Sequence, residues 1–116
     1  MLTLPAHVLR DLLAGTALAA TRDITLPLLH TVHLRWEPAP ERGDARDGLL
    51  VAEATDRYRM HEGRVQVLVD EPGEALVALP DVEALVKLLP KTLTRSGEST
   101  DVRLYVAPGA LVAEFD

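Results

Sequence analysis

Three short blocks of this sequence occur twice, in the same order, and they narrow what the chain can fold into. "LTLP" (2–5), followed by a Leu-x-x-Leu-Leu pattern at Leu9, Leu12 and Leu13, returns as "VALP" (77–80), followed by Leu85, Leu88 and Leu89. "VHLRWEP" (32–38) returns as "VRLYVAP" (102–108), and "LVAE" (50–53) returns unchanged at 111–114. Ordered self-similarity of this kind is the signature of one supersecondary unit used twice.

The unit reads as strand, helix, strand, strand, strand. In the first copy "MLTLP" is extended and ends at Pro5, which suits the start of a helix because its missing N–H costs nothing there. Leu9, Leu12, Leu13, Ala17 and Ala20 then follow helical spacing to about residue 20. Val32, Leu34 and Trp36 alternate with polar residues in a strand over 28–37, and Trp36 takes a core position. Residues 38–48 form a polar tip, 49–54 a second strand, and 58–69 a third with Val65, Val67 and Val69 on one face. In the second copy a strand over 75–79 ends at Pro80. Asp81 is placed to cap a short helix marked by Val82, Leu85, Val86 and Leu89. A hairpin over 101–106 and 110–115 follows. The second copy stops at Asp116, where its last strand is expected to begin.

The expected fold is therefore α+β: one domain, 1–116, built from repeats 1–70 and 71–116. Its two helices share one face of a curved antiparallel sheet, and the last strand of the second repeat is missing. An unpaired sheet edge invites pairing with another copy, so self-association is expected.

Composition removes several functional classes. A chain of 116 residues can bury roughly two-thirds of its unfolded surface, enough for a core without metals or disulfides. It has no cysteine, so thiol catalysis and cysteine-ligated zinc are excluded. The net charge of −6 argues against a broad nucleic-acid-binding face. Trp36, Tyr58, Tyr105 and Phe115 are too few for a base-stacking sheet. No apolar run approaches the roughly 20 residues of a membrane span and no signal peptide is visible, which points to the cytoplasm and away from membranes. His30 and His33 stand three apart in a strand and so face opposite sides, which makes a shared metal unexpected. Ser96 and Ser99 lie in a polar loop without a Gly-x-Ser-x-Gly motif. No carboxylate pair falls in an apolar cleft, and no glycine-rich phosphate loop occurs. Neither an enzyme nor a cofactor is expected.

One stretch is unusual for a strand end. "ATDRYRM" (54–60) sets an acid, two arginines and a tyrosine directly after the apolar run "GLLVAE". On residue evidence alone Asp56 pairs with Arg57 or Arg59 and fixes a turn. Together with "GTALAATRDITLPLLHTVHL" (15–34), however, "ATDRYRM" resembles the bacterial DNA polymerase sliding clamp, the beta subunit of the replicative polymerase. The likeness is strongest to its middle domain. "EPGEALVALPDVEALVKLLPK" (71–91) is similar to the second strand-helix unit of that domain.

The resemblance implies a non-catalytic processivity factor whose domains form a ring around duplex DNA, helices inside and sheets outside. It implies a pocket for a short peptide motif of DNA polymerase or clamp loader at Leu29, Thr55, Arg57, Tyr58, Arg59 and Met60. On residue evidence alone His7, Arg10 and Arg22 of the first helix and Lys87, Lys91 and Arg95 of the second read as ordinary solvated helix faces; the resemblance implies that they face duplex DNA. Such contacts are weak, or are made only by an oligomer, because Asp11, Asp23, Asp81 and Glu83 dilute the charge. The family's pocket is completed by a neighbouring domain that this sequence does not contain, so a fragment or a stand-alone relative is expected. The other functional class open to the chain is a clamp fold reused as the ligand- or protein-sensing domain of a transcriptional regulator.

Overall fold

The computed structural model describes residues 1–20, 30–39, 47–56, 59–89, 101–107 and 110–114. The chain runs β1 (Leu2–Pro5), α1 (Ala6–Ala17), β2 (Thr31–Pro38), β3 (Asp47–Thr55), β4 (Met60–Val69), β5 (Gly73–Ala78), α2 (Leu79–Leu88), β6 (Asp101–Ala107) and β7 (Ala110–Glu114). All seven strands form one sheet, in the order β5-β2-β3-β4-β1-β6-β7. Every pairing is antiparallel. The two helices pack against each other and against one face of the sheet, which is the expected α+β arrangement.

The two hairpins have the same register. In β2–β3, His33 stands opposite Glu53, Leu34 opposite Ala52 and Trp36 opposite Leu50. In β6–β7, Arg103 stands opposite Glu114, Leu104 opposite Ala113 and Val106 opposite Leu111. On the outer face the acid ending each "LVAE" block takes up partners from the neighbouring strand. Glu53 lies 3.8 Å from His33 and 3.2 Å from Arg35. Glu114 lies 3.7 Å from Arg103 and accepts a 2.6 Å hydrogen bond from the Tyr105 hydroxyl. That bond to a carboxylate raises the Tyr105 pKa above its ordinary value, and slight desolvation acts the same way. Such exposed pairs are worth about 0–1 kcal/mol each, so they align the hairpins more than they stabilise them.

The structure shifts one equivalence drawn from sequence. Leu2 pairs with Leu104 and Leu4 with Val102, while Ala75 pairs with Leu34 and Val77 with Val32. Leu2 therefore corresponds to Ala75 and Pro5 to Ala78, two residues out of step with the "LTLP"/"VALP" match. The helix starts agree with this register. Pro5 and Ala78 are the two N-caps, both extended, with ψ of 140° and 141°. Thus α2 begins at Leu79, ahead of Pro80, and Asp81 makes no cap hydrogen bond. The reason is burial: Leu79 is 1% exposed, and its N–H donates to the His30 carbonyl at 3.0 Å. Pro80 is tolerated in a first helical turn, and Asp81 there favours the helix dipole. At the other end, α1 stops at Ala17 rather than near residue 20. Ala19 and Ala20 donate to Thr16 and Ala17 in a tighter final turn.

Inward residues of both hairpins and both helices make one core. Leu2, Leu9, Val32, Leu50, Val102 and Leu104 are fully buried, and Trp36 is 3% exposed, the core position expected of it. Trp36 is seated against Gly73, where a Cβ would stand 2.6 Å from the indole ring. A rigid ring cannot yield, so the strand needs glycine there. Among the described residues no helix is long and apolar enough to cross a membrane. Gly73→Ala is expected to destabilise the fold by about 1–3 kcal/mol through overpacking, read as a lower urea midpoint with an unchanged slope.

Candidate peptide-binding site

The turn joining β3 to β4 is held at both ends by its own side chains. The Thr55 hydroxyl donates to the Arg59 carbonyl at 2.7 Å, and the Asp56 N–H donates to the same carbonyl at 3.3 Å. Asp56 accepts from the Arg59 N–H through Oδ1 and from Arg59 Nε through Oδ2, each at 3.0 Å. Asp56 is therefore a turn-forming residue, as its place in the sequence suggests. Arg59 reaches further: its Nη2 donates to the Leu18 carbonyl at 2.6 Å. Leu18 is the C-cap of α1, so Arg59 satisfies one of the carbonyls that a helix end leaves open.

Next to this turn, on the sheet face away from the helices, lies a cavity of about 270 Å³. It is lined by Thr31 and His33 of β2, Glu53, Ala54 and Thr55 of β3, Met60 of β4 and Leu76 of β5. Met60 and Leu76 are 69% and 60% exposed, large values for apolar side chains. The polar side is His33, 3.0 Å from Glu74 and 3.8 Å from Glu53. The volume falls just under the roughly 300 Å³ at which small-molecule pockets begin. It has room for one or two apolar side chains, with polar groups alongside.

Of the residues implied by the resemblance, Thr55 and Met60 line this cavity. Arg59 does not, because its guanidinium is turned toward Asp56 and Leu18. Leu29, Arg57 and Tyr58 lie outside the described residues. Sequence reading missed His33 and Leu76. They stand directly opposite one another in the β2–β5 pairing, which brings together residues far apart in the chain, and no local pattern announces it.

The implied DNA-facing residues are more scattered. His7 and Arg10 lie on α1 and Lys87 on α2. Arg22, Lys91 and Arg95 lie outside the described residues. Arg10 is 3.6 Å from Asp11, and its side chain is only 24% exposed. Within the two helices Arg10 and Lys87 are set against Asp11, Asp81 and Glu83. Among the described residues the two helices carry no excess of positive charge.

Two helices packed on one face of an antiparallel sheet, made from two similarly ordered halves, define a clamp-type α+β domain. Solved structures place it more closely. The chain is 27% identical to the DNA polymerase III subunit beta from Pseudomonas aeruginosa, with a TM-score of 0.70 over 99% of this chain and 27% of that one. It shares its fold with a protein described as a DNA polymerase III beta subunit from Eubacterium rectale, at 14% identity and a TM-score of 0.76 over 98% of this chain and 28% of that one. It also shares it with the DNA polymerase III beta chain from Streptococcus pneumoniae, at 15% identity and a TM-score of 0.65 over 97% of this chain and 26% of that one. The resemblance to the sliding clamp thus holds at the level of the fold, and the chain spans about a quarter of the length of these proteins. Comparison of the sequence with known protein families gives no match.

Asp56→Ala is expected to cost about 1 kcal/mol, since it removes a backbone hydrogen bond and an ion pair together. The Arg59 amide should then exchange with solvent faster, while amides in the middle of β3 should not.

Proposed function

We propose that this chain is a non-catalytic, sliding-clamp-like interaction domain of the DNA replication machinery. It receives a short peptide motif from a polymerase or clamp loader in the outer-face cavity at Thr55, Met60 and Leu76. The observation that carries this reading is the coincidence of that cavity, with its two exposed apolar side chains, with the segment that resembles the family's peptide pocket. A peptide's apolar tip would cover Met60 and Leu76, and His33 and Thr55 would hold its polar groups. Leu29, Arg57 and Tyr58 belong to the same proposed wall. Arg59 serves it indirectly, by fixing the turn that carries Thr55 and Met60.

The helix face turns toward duplex DNA in an assembly of several copies. His7, Arg10, Arg22, Lys87 and Lys91 supply weak, sequence-independent contacts, and the ring supplies the tether. A mixed-charge face is sufficient for that, because affinity for phosphate matters little once the duplex is enclosed. The same scarcity of positive charge supports a second reading, in which the fold serves as the sensing domain of a transcriptional regulator and never meets DNA itself. Replication and regulation separate on which ligand fills the cavity.

Titration with a labelled clamp-binding peptide from a polymerase tests the first reading. Met60→Asp and Leu76→Asp change exposed side chains and should leave the fold intact. Each is expected to weaken binding at least about tenfold, or roughly 1.4 kcal/mol. Failure of the unaltered chain to bind at millimolar peptide would reject the pocket. For the assembly, sedimentation velocity should show a species heavier than the 12.6 kDa chain that grows with concentration. A strict monomer would count against it.

A further inference from the structure

The wall of the outer-face cavity contains an imidazole held between two carboxylates. His33 of β2 stands between its direct cross-strand neighbours, Leu76 of β5 and Glu53 of β3. Its Nε2 lies 3.0 Å from Oε2 of Glu74, and its Nδ1 lies 3.8 Å from Oε1 of Glu53. The side chain is 33% exposed and lines the cavity. A neutral imidazole carries a proton on one nitrogen only. With that proton on Nε2, the ring donates to Glu74 and turns a bare Nδ1 toward Glu53. A second proton gives each carboxylate a facing donor and changes the charge of the cavity wall by one unit.

The other charged groups around the ring do not absorb that change. Arg35, the next outward residue of β2, donates through Nε to Glu53 at 3.2 Å and through Nη2 to Glu62 at 3.4 Å. Glu53 and Glu62 stand directly opposite one another across β3 and β4, so Arg35 is committed to a pair of like charges that would otherwise repel. Glu62 is also met by Arg64 at 3.3 Å. Arg35 stands opposite Glu74 as well, yet its guanidinium is turned the other way, toward β3 and β4. Among the described residues, His33 is the partner left to Glu74. The remaining lining side chains, among them Thr31, Thr55, Met60 and Leu76, carry no charge. Three carboxylates are thus set against two guanidinium groups while the ring is neutral, and against three cations once it is protonated.

We propose that His33 is a proton-operated charge selector of the cavity. The neutral ring favours a peptide with a basic residue beside its apolar tip, and the protonated ring favours one with an acidic residue there. This rests on the peptide reading above and adds to it the chemistry of the residue that flanks the tip. Imidazole is the side chain whose charge ordinarily changes between about pH 5 and 8, so a small acidification is enough to operate it. The wall is partly exposed, so the selection is modest in size and fades as salt is raised.

The probe is a labelled, histidine-free clamp-binding peptide from a polymerase, made with either Lys or Glu next to its apolar tip. Both forms are titrated against the full 116-residue chain at low salt. Between about pH 8 and about pH 5.5 the ratio of the two affinities is expected to move at least about threefold toward the Glu form. In His33→Gln the ratio should stay constant with pH. His33→Lys, charged throughout, should prefer the Glu form at both ends of the range. The midpoint of the change should coincide with the titration of the His33 ring followed by NMR, and that comparison decides if either variant does not fold. A ratio independent of pH in the unaltered chain, or one that still moves in His33→Gln, would overturn this proposal and leave the peptide reading standing. Failure of both forms to bind at millimolar concentration would reject the two together.

Discussion

The four residues of β1 hold this sheet together. Leu2 is paired on one side with Val69 of β4 and on the other with Leu104 of β6. Without β1 the sheet falls into a four-stranded piece and a hairpin. Leu2 and Leu4 are also 0% and 2% exposed, so the strand that bridges the pieces is anchored in the core as well. β5 returns the contact from the other half, since its partner is β2. Each half thus lends its first strand to the other. Segment 71–116 by itself would leave β5 without its partner β2, whereas in 1–70 β1 would keep β4 and lose only β6. Long-range pairings of this kind make loop-closure entropy a cost that only the complete sheet recovers.

The interlock also explains which parts of the fold were legible. β2, β3, β4, β6 and β7 show in the sequence because alternation along a half-buried strand is local information. The start of α2 does not. "VALP" looks like "LTLP" but sits two residues out of register, because helix start and strand pairing are set by the burial of Leu79 and its hydrogen bond to His30. Periodicity alone could not choose between Leu85, Leu88 and Leu89 and the correspondence actually used, as a helix offers several apolar residues at nearly equivalent spacings. The "LVAE" blocks could be matched correctly because their glutamates and their inward alanines both have one-to-one roles in the hairpin.

The candidate site divides along the same line. Thr55 and Met60 belong to a single sequence motif and could be found from it. His33 and Leu76 enter the site only through the β2–β5 pairing, in which a residue of one half meets a residue of the other. Arg59 shows the opposite effect. It lies within the motif, yet its nearest partners are Asp56 and the end of α1, so its contribution is to shape rather than to contact. A motif read from sequence marks a place on the fold; pairing decides which of its side chains reach the surface there.

The two faces of the sheet have been given different physical tasks. The outer face carries charge in cross-strand order, from Glu74 through His33, Glu53, Arg35 and Glu62 to Arg64, with separations of 3.0 to 3.8 Å. Arg35 and Arg64 offset Glu53 and Glu62 at a distance, and Met60 and Leu76 are the large apolar side chains left exposed beside them. The helical face is buried where it meets the sheet and weakly acidic where it does not. The most exposed large apolar side chains of the outer face, Met60 and Leu76, are thus gathered at one place, beside Thr55 and His33, where β2, β3, β4 and β5 meet.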